Sequence, residues 1–178
     1  MIDYKKYYNL ESYLLTEVKS NFKTNGFLTA EEFFCIIIWK ANRSKSKIRT
    51  KLQRLFKTSD NDEAVKKLTQ AVAHAKTPEE KLKYLISECC FRLPMASAIL
   101  TVLYPEEFTV YDVRVCDMLK GFHDLQNKIN FETIWHGYLE FKDAVIKVAP
   151  EEESLRDKDR WLWGKSFHKD LSSFLDNL

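Results

Sequence analysis

Three parts of this sequence carry residues that could do chemistry. The first is Asp112. It follows Val110-Tyr111 and precedes a stretch with helical character, so it stands where a carboxylate caps a helix and accepts backbone N–H bonds. Such bonds favour the charged form, and Asp112 is expected to stay ionised. An ionised carboxylate at a helix mouth stabilises a developing cation or positions water. The plain alternative is a structural cap bridged to Arg114. The second part is basic. Between Trp39 and Ser59 there is no acid, while Lys40, Arg43, Lys45, Lys47, Arg49, Lys51, Arg54 and Lys57 all occur. Phosphate binding needs such clustering, because neutralising several phosphates together releases counterions. A solvated face needs it equally. The third part is Arg156, Asp159, Arg160, Trp161 and Trp163. A tryptophan here either stacks on an extruded base or anchors the last helix in the core. Tyr111, beside Asp112, carries the same ambiguity.

Other chemistries find no support. The cysteines, Cys35, Cys89, Cys90 and Cys116, form no C-x-x-C pair and have no histidine at ligand spacing, so no metal and no other cofactor is expected. They read as reduced thiols. His74, His123, His136 and His168 are scattered and are expected not to be catalytic. Four glycines in 178 residues leave no Gly-rich phosphate loop. Lys+Arg 28 against Asp+Glu 26 gives +2, so only the distribution of charge points to a partner. No apolar run is long enough to span a membrane, and residues 1–15 lack a signal-peptide core; a cytoplasmic protein with no membrane contact is expected.

The elements that must hold these groups are helices. A composition 45% hydrophobic and 13% aromatic excludes disorder. Residues 4–23 have apolar positions three and four apart, ending at Asn25-Gly26. Thr29 to Glu32 is a capping box, and the β-prone run Phe33–Trp39 that follows is expected to be a buried helix that continues to Arg43. Asp60 with Glu63 opens a helix to about Ala75. Thr77-Pro78-Glu79-Glu80 opens another, to about Cys90. Further helices are expected from Pro94 to Tyr104, from Asp112 to Lys120, over 131–148 behind Asn130, and from Ser154 to about Leu175. If 45–57 is helical too, Lys47, Lys51 and Arg54 share a face. The expected fold class is all-α: eight or nine helices, no sheet, one compact domain over 1–178.

The stretch Leu93–Val115, with small Ala96, Ser97 and Ala98, then Pro105, then Tyr111-Asp112-Val113-Arg114-Val115, resembles the helix-hairpin-helix superfamily of DNA base-excision glycosylases. It is more closely similar to an uncharacterised bacterial branch of that superfamily, through residues 37–43, 94–100, 111–115, 135–141 and 155–166. The resemblance covers most of the chain from about residue 30. It implies a two-lobed helical domain, with a six-helix lobe over about 29–125 and a second lobe from about 1–28 and 126–178. An extruded base would lie between the lobes. It places the aspartate needed for glycosidic-bond cleavage on Asp112, at the family's interval from Pro94.

The chain departs from that pattern. The two hairpin glycines fall on Cys90 and Arg92, which are not expected to adopt positive φ readily. Arg92 would then grip phosphate with its guanidinium instead of backbone. The lysine used for Schiff-base chemistry falls on Pro94, so no lyase of that type is expected. The resemblance therefore implies a protein that binds double-stranded DNA through Lys40, Arg43, Lys45, Lys47, Arg49, Lys51, Arg54 and Arg92. It would act as a monofunctional N-glycosylase, with Asp112 stabilising an oxocarbenium-like transition state and Tyr111 and Trp163 in the base pocket. The alternative is a non-catalytic helical protein that binds DNA or another protein and retains the fold. A basic run alone does not separate DNA from RNA.

Overall fold

The computed structural model describes residues 4–150 and 153–176, and among them the chain is helical with no strand. The first helical stretch is broken into α1 (Lys5–Tyr8), α2 (Leu10–Tyr13), a π-helical turn (Leu14–Val18) and α3 (Lys19–Asn25). It stops at Gly26, whose φ of 73° is the left-handed conformation that glycine adopts without strain. Then follow α4 (Ala30–Ala41), α5 (Lys45–Phe56) and α6 (Asn61–His74). Helix α7 (Pro78–Lys83) continues as a π-helical turn to Glu88. The remaining helices are α8 (Leu93–Leu103), α9 (Val113–Leu119), α10 (Phe131–Val148) and α11 (Leu155–Leu175). The helix starts match the caps read from sequence. Thr29 and Thr77 each close a full capping box, and Asp60, Asp112, Asn130 and Ser154 each accept an N–H of the first turn.

The β-prone run is helical because its cap and its packing both require it. Phe33, Ile36 and Ile37 are fully buried, while Ile38 turns outward. Helix α8 is the centre of the molecule, with every residue but Pro94 buried. Ala96, Ser97 and Ala98 let neighbouring helices come close to it. One continuous apolar core reaches from Tyr13 to Leu162. Helix α4 ends at Ala41 rather than running on to Arg43. A 3-10 turn, Asn42–Ser44, re-aims the chain into α5, where only Ile48 and Leu52 are buried.

The turn between the 78–88 helical stretch and α8 corrects one expectation. Cys90 does take the left-handed conformation, at φ 54°. Phe91 N–H donates to Leu85 O at 2.9 Å, closing a seven-residue loop around the left-handed Cys90, one residue wider than the usual helix-end bond of this kind because the stretch ends in a π-helical turn. Arg92 is extended, at φ −76° and ψ 153°. The chain therefore turns here on a left-handed cysteine, with no glycine and with Arg92 in extended conformation. Lys51 helps to hold it, donating to Cys90 O at 2.5 Å with its ammonium 5.5 Å from the Phe91 ring centre.

Candidate functional site

Asp112 is placed by a buried, irregular segment. Residues 108–111 are all buried yet belong to no helix, so side chains must satisfy their backbone. Tyr138 Oη accepts from Thr109 N–H at 3.0 Å and donates to Thr109 O at 2.7 Å. Asp159 accepts from Val110 N–H at 3.1 Å and from Thr109 Oγ1 at 2.9 Å. Ser97 Oγ accepts from Tyr111 N–H at 3.0 Å. Helices α8, α10 and α11 thus fix the backbone that delivers Asp112 to the start of α9.

The carboxylate of Asp112 has two partners. Its Oδ1 accepts the Arg114 backbone N–H at 3.1 Å, and its Oδ2 accepts from Lys40 Nζ at 2.6 Å. The ion pair is thus made with Lys40 at the end of α4. The Arg114 guanidinium goes instead to Asp170, at 2.6 Å. Burial works to raise the Asp112 pKa, but the Lys40 charge and hydrogen bond, with the Arg114 N–H, outweigh it and hold the carboxyl below its ordinary value. The charged form expected of Asp112 is thus favoured chiefly by Lys40, with the capping N–H adding to it.

Asp112 and Lys40 stand in a cleft of about 410 Å³. Its walls come from Glu11 on α2, Trp39 and Lys40 on α4, Val110 and Val115, and Arg156, Asp159, Arg160 and Trp163 on α11. At its α11 side the charges are paired. Arg156 bonds both Glu11 and the buried Asp159, and its guanidinium lies 5.2 Å from the Trp39 ring centre. Arg160 reaches Glu11 at 2.9 Å and Asp157 at 2.6 Å. Burial pushes the Glu11 carboxyl up, and the two arginines more than cancel it, leaving it below its ordinary value. Trp163 is half-exposed and stacks on Phe167, with rings 5.8 Å apart and 5° from parallel. A second pocket of about 220 Å³ lies against the same Lys40–Asp112 pair, lined also by Pro94, Tyr111, Cys116, His123 and Gln126.

The sequence-derived candidates divide between three environments. Asp112 and Trp163 meet in the larger cleft, joined there by Lys40. Tyr111 does not line that cleft. It is buried, its ring packs 5.1 Å from Phe141, and its hydroxyl donates to Phe122 O at 2.6 Å. Arg43, Lys45, Lys47, Arg49 and Arg54 are exposed, and among the described residues no carboxylate pairs with any of them. Lys51 is engaged at the Cys90 turn, and Arg92 is exposed at the cap of α8. Trp161 and Trp163 are 39% and 43% exposed, so neither anchors α11 in the core. His123 does have a partner, Asp117 at 2.7 Å. Sequence reasoning misses Glu11 and Trp39 as cleft residues. Glu11 lies far from α11 in sequence, and only the fold closes that distance. Trp39 ends an apolar run and reads from sequence as core.

Among the described residues no group of three or more His, Cys, Asp or Glu side chains is arranged to hold a metal ion. No helix among them is long and apolar enough to cross a membrane. No known protein family matches the chain, and neither does any curated protein or solved structure.

Proposed function

We propose that the protein binds duplex DNA on the α5 face and receives an extruded nucleotide in the larger cleft, as a monofunctional N-glycosylase of the helix-hairpin-helix type. The observation that carries this reading is the position of Asp112: an ionised carboxylate, held by its own backbone cap, on the wall of a cleft with Trp39 and Trp163. The basic segment starts in that cleft at Lys40 and continues along the chain into α5, and on this reading phosphates lie on Arg43, Lys45, Lys47, Arg49 and Arg54. Extrusion costs a few kcal/mol of unstacking, which aromatic walls offset. As the base leaves with the bonding electrons, the sugar acquires oxocarbenium character. Asp112 stabilises that cation and orients the water that adds to C1′ and gives up a proton. A cytoplasmic setting belongs to this reading, since Cys35, Cys89, Cys90 and Cys116 are all free thiols.

A second reading has its own observation. The 2.6 Å contact with Lys40 neutralises Asp112, as expected of a structural cap in a DNA- or protein-binding fold without chemistry. One experiment separates the two. Binding is compared between a plain duplex and the same duplex carrying a cationic pyrrolidine abasic analogue, for wild type and Asp112→Asn, over a salt series. The glycosylase reading expects tighter binding to the analogue, by on the order of 10²-fold, lost in Asp112→Asn. Equal, salt-sensitive binding to both duplexes supports the non-catalytic reading. No binding at low salt removes DNA from the account.

A further inference from the structure

Two of the carboxylates that line the larger cleft have both oxygens engaged. Asp159 gives one to Arg156 and the other to Thr109 and Val110. Asp112 gives one to Lys40 and the other to Arg114 N–H. Glu11 is engaged on one side only. Its Oε1 accepts from Arg156 Nε at 3.1 Å, from Arg156 Nη2 and from Arg160 Nε at 2.9 Å. Its Oε2 has no hydrogen bond among the described residues. No buried side-chain oxygen or nitrogen among them lacks a partner, so Oε2 is open to solvent. Glu11 lines the cleft and not the neighbouring hollow of about 500 Å³ along Arg156 and Arg160, so this open oxygen belongs to the cleft wall.

What such an atom accepts is narrow. The two arginines hold the Glu11 carboxyl below its ordinary value, against the effect of burial, so it is charged near neutrality. An ionised carboxylate has lone pairs only: it takes an N–H or O–H and repels a carbonyl oxygen or a ring lone pair. The three carboxylates of the wall face three cations, Lys40, Arg156 and Arg160, so the wall as a whole favours neither a polyanion nor a free cation. Arg156 joins Glu11 to the Trp39 ring, 5.2 Å from its guanidinium, and Trp163 is half-exposed in the same wall. A planar, neutral ligand with an N–H on its edge meets both features, its faces on the indoles and its edge on Oε2.

We infer that Glu11 Oε2 selects the extruded base by accepting an N–H from its edge, so that the cleft prefers bases with an exocyclic amino group. This rests on the reading of the cleft as a base pocket. An amino group projects its N–H beyond the ring, clear of other lone pairs. In a keto base the ring N–H stands beside a carbonyl oxygen, whose lone pairs face the same carboxylate. A site that hydrogen-bonds a ligand N–H rejects an analogue lacking it, because its own polar atom is left unpaired. Discrimination of about 10- to 100-fold is expected for one such bond to a charged group.

Two purines of nearly the same shape test this: 9-methyladenine, and 9-methyl-6-methoxypurine, which has no N–H at all. Each is titrated into the whole protein and into Glu11→Gln, with the indole N–H resonances of Trp39 and Trp163 as the readout. Wild type is expected to bind 9-methyladenine about 10-fold or more tightly than the methoxypurine. In Glu11→Gln the amide oxygen stays on the two guanidinium groups, which an NH2 cannot face, so the NH2 stands where Oε2 stood. The order of the two purines is then expected to reverse. Equal affinities in wild type overturn the inference, as does an unchanged order in a Glu11→Gln protein that keeps its helical circular dichroism. So does a wild type whose indole resonances neither purine moves. If the variant does not fold, the wild-type comparison decides alone. The pyrrolidine duplex, run alongside, separates the two claims. Tight binding of that analogue without a purine preference removes the role of Glu11 and leaves the glycosylase reading standing; loss of both removes both.

Discussion

The cleft and the α5 surface both carry lysine and arginine side chains and use them in opposite ways. In the cleft Lys40 faces Asp112, while Arg156 and Arg160 share Glu11 and reach Asp159 and Asp157 as well, so every cation is engaged by carboxylate. On α5, Lys45, Lys47, Arg49 and Arg54 stand in solvent, without carboxylate partners among the described residues. Ionic groups that are desolvated and paired define a shape; their energy is spent on geometry, and breaking one partner is costly. Solvated charges contribute little to stability but remain available to a polyanion. The contrast separates scaffold from contact surface among residues that composition alone treats as equivalent.

The sharpest way to break this comparison is Asp159→Ala. It strands the Arg156 guanidinium and removes the acceptor of Val110 N–H and Thr109 Oγ1. A loss of about 3–5 kcal/mol in urea unfolding is expected. If the loss is under ~1 kcal/mol, the network does not set the geometry of the cleft.

Next in size is the triple variant Lys45→Ala/Lys47→Ala/Arg49→Ala. Duplex affinity is expected to fall by on the order of 10²-fold at low salt, and the slope of log K against log salt to shrink by roughly 3. Stability should stay within about 0.5 kcal/mol of wild type. An unchanged salt slope would show that α5 is only a solvated face.

The smallest effect is expected from Lys40→Met, with Asp112 followed by carboxyl ¹³C shift. Wild-type Asp112 has a folded pKa below its unfolded value. Its contribution to stability is therefore full above about pH 3.9 and is lost as pH falls through the lower folded value. Without Lys40, burial dominates and the folded pKa moves up. Stability near neutrality is expected to drop by about 1–2 kcal/mol, and the deficit to narrow on acidification. An Asp112 titration that does not move would mean that the backbone cap alone holds the charge.

Local rules make most of the fold legible. Caps, three-four periodicity and the Gly26 stop concern neighbours a few residues apart, so the helix starts at Thr29, Asp60, Thr77, Asp112, Asn130 and Ser154 can be read directly. The candidate site is less legible. The sequence points to Asp112 and Trp163, but it puts Lys40 on a phosphate surface and Tyr111 in a base pocket. Lys40 changes role because Asp112, distant in sequence, is brought to 2.6 Å. Tyr111 does so because its ring fills the core beside Phe141. The left-handed Cys90 is unexpected because propensity favours glycine there. The Phe91–Leu85 bond and Lys51 supply tertiary support for a backbone that the residue alone disfavours.

By itself, then, the sequence determined that this chain is helical, where its helices begin, that Asp112 caps a helix, and that residues 40–57 concentrate positive charge. Those properties follow from short-range hydrogen bonding, side-chain volume and formal charge. Only the tertiary structure decided which charges are neutralised, which aromatic rings face solvent, and that Glu11 and Arg156 meet across one cleft. Pairing and burial depend on which distant surfaces come together. That choice is made by the packing of the whole core, not by the residues at either end of a contact.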